Sequence, residues 1–194
     1  TKTVLFDTEG NACCSKTIEY PMYQPQNGWA EQDPLDWWNA TCQTIKAVIE
    51  KSGVSNQEVK AVGISGQMHG LVVLDAQDKV IRPCILWNDG RTQKQVEYLN
   101  NVIGKENLSK YTANIAFAGF TAPKLLWMRD TEPENFTKIS KIMLPKDYIA
   151  YKLSGVHCTD VSDASGMLIF DVKNRCWSRE MMEICDVREE QLPK

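Results

Sequence analysis

The apolar and polar positions at the start of the chain predict a β-hairpin. Thr1–Phe6 and Asn11–Tyr20 both have extended patterns, and the residues between them, Asp7–Gly10, are typical of a tight turn with a permissive glycine. The next segment, Pro21–Gln32, is interrupted by prolines and a glycine. We therefore expect a hairpin followed by a loop.

A long amphipathic helix is predicted next. Asp33 is suited to accept hydrogen bonds from the free N–H groups of a helix start, Pro34 fits the first helical position, and Gly53 fits the end. Apolar residues inside this segment recur at three- and four-residue steps and predict the face that packs on a sheet. These residues are Leu35, Trp38, Cys42, Ile45 and Ile49.

Later segments alternate between strand and helix patterns. Lys60–Ser65 is short, apolar and flanked by glycine, which is typical of a buried central parallel strand. Leu71–Leu74 and Val80–Trp87, with a turn at 75–79, predict a second hairpin. Helices are predicted over 92–102, 123–130 and 146–153, the last one ended by Ser154 and Gly155. This order favours an α/β fold with a mixed sheet covered by helices.

The composition is that of an ordinary globular protein with one main core. Of 194 residues, 43% are hydrophobic and 24% are charged. The net charge of -3 and the scattered basic residues argue against a nucleic-acid partner. No apolar run is long enough to span a membrane, and the first residues lack a signal-peptide pattern, so we expect a cytoplasmic protein without a membrane partner. Seven irregularly spaced cysteines predict reduced side chains rather than a zinc site or disulfides.

The first candidate for chemistry is the glycine-punctuated segment Gly63–Gly70, which directly follows the predicted central strand. Ligands of α/β proteins bind at strand ends. The segment matches neither a P-loop nor a dinucleotide-binding loop. It offers Gln67 and His69 beside Met68, which suits a small neutral polyol. From these residues alone, a structural role for His69 in the core is the favoured interpretation.

Two further segments concentrate polar side chains. Leu86–Arg91 places an aromatic ring, an amide, a carboxylate and a guanidinium in one turn, which suits sugar recognition. A turn held by an Asp–Arg salt bridge explains the same residues equally well. For Leu144–Tyr148 and Thr159–Gly166, including the pair Asp160 and Asp163, helix capping and loop bracing are favoured over metal or acid–base chemistry.

Four segments taken in order have a more specific meaning. They read GQMHG at 66–70, ILWNDGR at 85–91, GFTAPKLLW at 119–127 and LPKDY at 144–148. In this order they closely resemble the xylulose kinases of the FGGY family of carbohydrate kinases, and the resemblance covers nearly the whole chain.

The resemblance implies a fold of the actin-like (ribonuclease H-like) class, in which sugar lies deep in a cleft between two domains and ATP binds mainly through the second domain. It also implies a set of residues at the sugar. These are Met68 and His69 in the lining of the site, Gln67, Trp87, Asn88, Asp89 and Arg91 in its surroundings, and Gly119 and Phe120 close to the sugar.

The implied activity is transfer of phosphate from ATP, with Mg2+, to D-xylulose, which gives D-xylulose 5-phosphate. The family's first strand, phosphate loop and catalytic aspartate have no counterpart in residues 1–194. We therefore expect these residues to form the N-terminal sugar-binding domain without the nucleotide-binding domain, inactive alone and without catalytic or metal-binding residues of their own. Another FGGY pentulose or hexulose kinase, or a non-catalytic sugar-binding module, is the alternative. The oligomeric state stays open, with a homodimer as one option.

Overall fold

The computed structural model describes all residues from 1 to 194. Eight short strands are β1 (Lys2–Phe6), β2 (Ala12–Thr17), β3 (Glu31–Gln32), β4 (Val72–Leu74), β5 (Cys84–Ile85), β6 (Lys141–Met143), β7 (Phe170–Asp171) and β8 (Cys176–Trp177). Eight α-helices are α1 (Pro34–Ser52), α2 (Gln93–Glu97), α3 (Lys105–Thr112), α4 (Thr121–Thr131), α5 (Pro133–Phe136), α6 (Pro145–Ser154), α7 (Val161–Ser165) and α8 (Arg179–Cys185). A π-helix, Tyr98–Gly104, joins α2 to α3, and 3-10 turns occupy Asn56–Glu58 and Glu189–Gln191.

The predicted hairpin at the start of the chain is present. Strands β1 and β2 are antiparallel, with a register shift between Leu5 and Phe6, and Gly10 in the turn adopts a positive φ of 88°. Helix α1 packs across both strands, and the hydroxyl groups of Thr3 and Thr44 lie 2.7 Å apart where helix and hairpin meet.

Helix α1 has the predicted ends but buries a different face. The Asp33 carboxylate accepts a hydrogen bond from the Leu35 N–H at 2.9 Å, and Gly53 ends the helix in the left-handed conformation. The buried positions are Pro34, Trp37, Ala40, Thr41, Thr44 and Val48. The predicted stripe was therefore wrong by about one position, and Leu35 and Cys42 are exposed. Threonine can face the hairpin here because the hydroxyls of Thr41 and Thr44 donate to backbone carbonyls of the helix itself.

The second predicted hairpin is also confirmed, although its strands are shorter than expected. Leu74 and Val80 form an antiparallel bridge, and Leu71 bridges to Ile85. Strand β4 also pairs with β6, and β5 also pairs with β3. The second hairpin therefore connects β3 and β6, which are far apart in the chain. All pairings between strands are antiparallel.

The expectation of a central parallel strand at Lys60–Ser65 was wrong. Residues 59–66 form no strand and take part in no backbone hydrogen bond. Val62 has 65% of its surface exposed. A buried strand needs a partner strand at each edge, and the apolar composition of this segment gave no information about what lies beside it.

The later helices match the predictions closely. Helix α4 contains the predicted 123–130, and its first eight residues, Thr121–Met128, are all buried, five of them within the larger hydrophobic core. Helix α6 ends at Gly155 in the left-handed conformation. The segment predicted as one helix at 92–102 is α2 followed by the π-helix. No helix combines the length and the apolar character needed to cross a bilayer.

Candidate functional site

The segment after the unpaired residues 59–66 ends in a strained turn centred on His69. The Gly70 N–H donates to the Met68 carbonyl at 2.8 Å, and His69 has a φ of 66°. This is a three-residue turn of the positive-φ type, which is rare for a residue with a side chain. Such strain persists only where surrounding contacts fix it, and it is frequent at binding sites.

The imidazole ring of His69 is fixed in orientation by two contacts. Its Nδ1 atom lies 2.9 Å from the Gly166 carbonyl oxygen, and its ring centroid lies 4.9 Å from that of Phe120. A carbonyl oxygen only accepts, so Nδ1 carries the proton that is donated. Burial lowers the pKa of His69 below its usual range, which keeps the ring neutral near pH 7. Nε2 is then the free acceptor of the ring.

Glycines permit the close approach of three chain segments around this turn. A methyl group at Gly166 would lie 2.2 Å from Cε1 of His69, and one at Gly119 would lie 2.8 Å from the Trp87 carbonyl oxygen. A methyl group at Gly70 would lie 2.7 Å from Cγ of Pro145. Any side chain at these positions would push the segments apart, so the glycines set the shape of the site.

The carbonyl oxygen of His69 accepts two hydrogen bonds from helix α4. The Thr121 hydroxyl donates at 3.0 Å and the Lys124 ammonium at 3.1 Å. Lys124 also donates to the Gly119 carbonyl. The sequence predictions did not include Thr121 or Lys124, because nothing in the helix pattern shows which polar side chains point inward.

The four predicted residues of the second polar segment divide into two groups. Trp87 and Asn88 are exposed, and Trp87 has 56% of its surface accessible. Asp89 and Arg91 have fully buried side chains and form an ion pair at 2.7 Å. The structure therefore contains the Asp–Arg salt bridge that the sequence left as an equal alternative.

The buried ion pair forms part of a closed network. One oxygen of Asp89 accepts from the Ala30 N–H at 2.6 Å, and Arg91 donates to Glu31 at 2.7 Å. The Arg91 guanidinium also lies 3.7 Å from the ring centroid of Trp29. With these partners satisfied, Asp89 and Arg91 hold the loop that carries Trp87, and their side chains are not presented at the surface.

The side chains of Gln67 and Met68 have different neighbours. The Gln67 amide donates to the Gln32 side chain at 3.2 Å, and Gln32 also accepts from the Trp37 indole at 3.0 Å. The methyl group of Met68 would be 3.0 Å from a methyl group at Gly166. Gln67 is thus tied to the loop before α1, and Met68 packs beside His69.

Two aromatic rings lie next to one another beside the His69 ring: the half-buried Phe120, which contacts it, and the exposed Phe117. Phe117, which no motif in the sequence indicated, has 52% of its surface exposed and lies edge-on to Phe120, with ring centroids 5.5 Å apart. The Phe117 and Phe120 rings give an apolar surface beside the His69 ring, whose Nε2 atom is a hydrogen-bond acceptor. That combination suits a sugar, which has hydroxyl groups and apolar C–H faces.

Three acidic side chains near the site share one lysine as their ion-pair partner. Lys146 at the start of α6 forms ion pairs with Asp160, with Asp163 at 2.9 Å and with Asp147 at 3.6 Å. Asp160 also caps α7 by accepting from the Asp163 N–H at 3.0 Å. These contacts agree with the bracing role favoured from sequence. No three acidic, histidine or cysteine side chains are arranged to hold a metal ion, so these residues do not fit a Mg2+ site.

A cleft with a volume of about 510 Å³ lies elsewhere on the surface. Its lining includes Val102 and Tyr111 and shares no residue with the His69 cluster.

The whole chain, residues 1–194, matches the model of the FGGY family of carbohydrate kinases, N-terminal domain. The chain belongs to the FGGY family of carbohydrate kinases. Among its curated relatives, a xylulose kinase of Escherichia coli (strain K12) is 42% identical over 192 residues, which is 99% of this chain and 39% of the relative. The chain thus spans about two fifths of the length of such relatives.

Solved structures of other proteins share the fold. A structure described as a xyloylose kinase from Brucella ovis has a TM-score of 0.95 and 38% identity, and covers 100% of this chain and 39% of its own. A gluconate kinase from Lactobacillus acidophilus has a TM-score of 0.92 and 30% identity, with the same shares covered. The predicted FGGY resemblance and the α/β, ribonuclease H-like (actin-like) class are confirmed.

Proposed function

We propose that this chain is the N-terminal, sugar-binding domain of a kinase that transfers the γ-phosphate of ATP to the terminal hydroxyl of D-xylulose. The products are D-xylulose 5-phosphate, ADP and a proton. The observation that carries the proposal is the fixed His69 turn, with its free Nε2 acceptor beside the rings of Phe120 and Phe117. The 42% identity to a relative named xylulose kinase supports the choice of sugar.

In this proposal the residues of the chain bind and orient the sugar. His69 Nε2 accepts a hydrogen bond from a sugar hydroxyl, and Met68 and Phe120 pack against the C–H face. Gln67 and the loop of Trp87 and Asn88 complete the surroundings. Phosphoryl transfer depends mainly on positioning and charge stabilisation, so a fixed acceptor geometry contributes directly to the rate.

The roles of ATP as phosphate donor and of Mg2+ as its metal ion are proposed because the members of the family are carbohydrate kinases. The carboxylates of this chain do not fit a Mg2+ site, because those near the sugar site are paired with Lys146. We therefore propose that the parts of the protein outside residues 1–194 bind the nucleotide and metal and supply the catalytic base.

A second candidate is a kinase for a different sugar. The gluconate kinase with a TM-score of 0.92 shows that this fold is found in a protein named for another substrate. A non-catalytic sugar-binding module is the third candidate, since the residues proposed here to contact the sugar would bind it without transferring phosphate.

The test is an ADP-release assay on the full-length protein with D-xylulose, L-ribulose, L-rhamnulose, gluconate and glycerol. We expect the highest kcat/KM with D-xylulose. No preference for D-xylulose would refute the substrate assignment, and sugar binding without ADP release would favour the non-catalytic module.

Location and assembly are also proposals. All seven cysteines are free thiols, as in proteins of the reducing cytoplasm, which supports a cytoplasmic location. A homodimer is tested by light scattering on the full-length protein.

A further inference from the structure

A lysine side chain is buried at the centre of the molecule without an ion-pair partner. Lys124 in helix α4 has no exposed surface, and no carboxylate lies within salt-bridge distance of its ammonium group. Buried ammonium groups are costly unless paired or fully hydrogen-bonded. Such a residue therefore has a specific structural task.

The partners of Lys124 reveal that task. Its ammonium donates to the carbonyl oxygens of His69 and Gly119, which belong to the two segments that meet at the sugar site. These segments are 50 residues apart in the chain and have no backbone hydrogen bond with each other. The Lys124 ammonium therefore links the two segments.

The contact with His69 acts on a strained position. The same carbonyl accepts from Thr121 at 3.0 Å, so both of its lone pairs are used. A positive φ at a residue with a side chain is unfavourable and persists only where neighbouring contacts hold it. The hydrogen bonds from Thr121 and Lys124, both in helix α4, hold the His69 turn in this conformation.

We propose that Lys124 is a positioning residue of the sugar site: its buried ammonium holds the His69 turn and the Gly119–Phe120 segment together and so sets the directions of the His69 and Phe120 rings. The inference rests on the proposed function for its link to sugar binding. The geometric part, which concerns His69 and Gly119, does not depend on the identity of the sugar.

The environment of the ammonium agrees with this role. Burial lowers the pKa of Lys124 to about 8, with Cys84 and Asp89 opposing the shift and Arg91 adding to it. Deprotonation above this pH removes the charge that strengthens the two carbonyl contacts. Sugar affinity is therefore expected to fall as the pH rises through about 8.

The experiment compares Lys124→Met with Lys110→Met in the full-length protein. Methionine keeps the volume but has no donor, and Lys110 is an exposed lysine in α3. For Lys124→Met we expect KM for D-xylulose to rise at least about tenfold, because hydrogen bonds from charged donors carry that much free energy. KM for ATP should stay unchanged, the fall in affinity above pH 8 should disappear, and Lys110→Met should match the wild type.

Crystal structures of both variants test the geometry separately. In Lys124→Met we expect His69 to leave the left-handed conformation and to lose its contact with Gly166. An unchanged turn, or a sugar KM within about twofold of the wild type, would overturn the proposal. If the wild type does not use D-xylulose, the proposed function fails, while the crystal structures still decide the role of Lys124.

Thr121→Val provides a milder second variant in case Lys124→Met does not fold. It removes one of the two donors to the His69 carbonyl and keeps the shape of the side chain. We expect a rise of about threefold or more in sugar KM, in line with the loss of one neutral hydrogen bond. No change in KM would also count against the proposal.

Discussion

The Nδ1 atom of His69 lies 2.9 Å from the carbonyl oxygen of Gly166, across 97 positions of the chain. This contact settles the tautomer of the ring, and it leaves Nε2 available to a ligand. Gly166 is needed because there is no room for a side chain beside the ring.

Gly166→Ala should displace the His69 ring, since the new methyl group would lie 2.2 Å from Cε1. We expect the affinity of the full-length protein for D-xylulose to fall at least about tenfold, because the acceptor is no longer in place. Calorimetric titration measures this. Gly63→Ala is the matched control, since its methyl group meets no atom within 4 Å, and equal losses in both variants would contradict the prediction.

The variant His69→Asn tests the role of Nε2 separately from that of Nδ1. Asparagine tolerates a positive φ and keeps a donor near Nδ1, but it has no acceptor at the position of Nε2. We expect unchanged thermal stability with sugar affinity reduced about tenfold or more, whereas His69→Gln should lose stability. Retained affinity in the asparagine variant would show that Nε2 does not contact the sugar.

Acid should weaken sugar binding through the same ring. Protonation of His69 turns Nε2 from an acceptor into a donor. Because burial lowers the pKa of His69 below 6.5, the loss is expected only below that pH, as the pH falls. Sugar KM measured from pH 8 to pH 5 checks this, with the asparagine variant, which lacks the imidazole, as the reference profile.

The buried network around Arg91 should contribute strongly to stability. Arg91→Met leaves the carboxylates of Asp89 and Glu31 buried with one partner fewer, and we expect the free energy of unfolding to fall by about 3–5 kcal/mol. Arg179→Met breaks an exposed pair with Glu183 and should change it by less than about 1 kcal/mol. Urea unfolding of both variants measures the two losses of unfolding free energy. Similar losses would show that Arg91 does not hold the loop.

Asp147 should make stability depend on pH. Burial raises the pKa of its carboxyl group to about 6 from 3.8, so the folded protein holds this proton more tightly than the unfolded chain does. Its contribution to stability is therefore favourable at pH 4 and is lost as the pH rises through about 6. Compared with Asp147→Asn, the wild type should lose about 3 kcal/mol between pH 3 and pH 7, by the conversion of about 1.4 kcal/mol per pKa unit. If the difference in the free energy of urea unfolding between the two proteins does not change with pH, this prediction is wrong.

Local signals in the sequence predicted the local structure well. Asp33, Pro34 and Gly53 determined the ends of α1, because caps act within one helical turn. The buried face of α1 was missed, because Thr41 and Thr44 satisfy their hydroxyls on the helix and so can replace apolar residues. The strand expected at 60–65 was missed because pairing depends on distant segments.

The site could be predicted only in part for the same reason. The ordered motifs indicated His69 and the Trp87 loop, and the structure brings them into one cluster through Gly119. The contributions of Lys124 and Gly166 depend on contacts across 55 and 97 positions, and neither residue has a local pattern that shows it. Phe117 lies three residues before Phe120, and its aromatic character was the one available signal.

The unpaired segment 59–66 has a practical consequence for work with this chain. It presents a row of free amide and carbonyl groups next to exposed apolar side chains such as Val62. Unpaired backbone of this kind can pair with strands of other molecules, and the segment contains no proline that would block such pairing. In concentrated solutions of residues 1–194, self-association should begin here, and a charged residue in place of Val62 is the simplest way to keep the samples monodisperse.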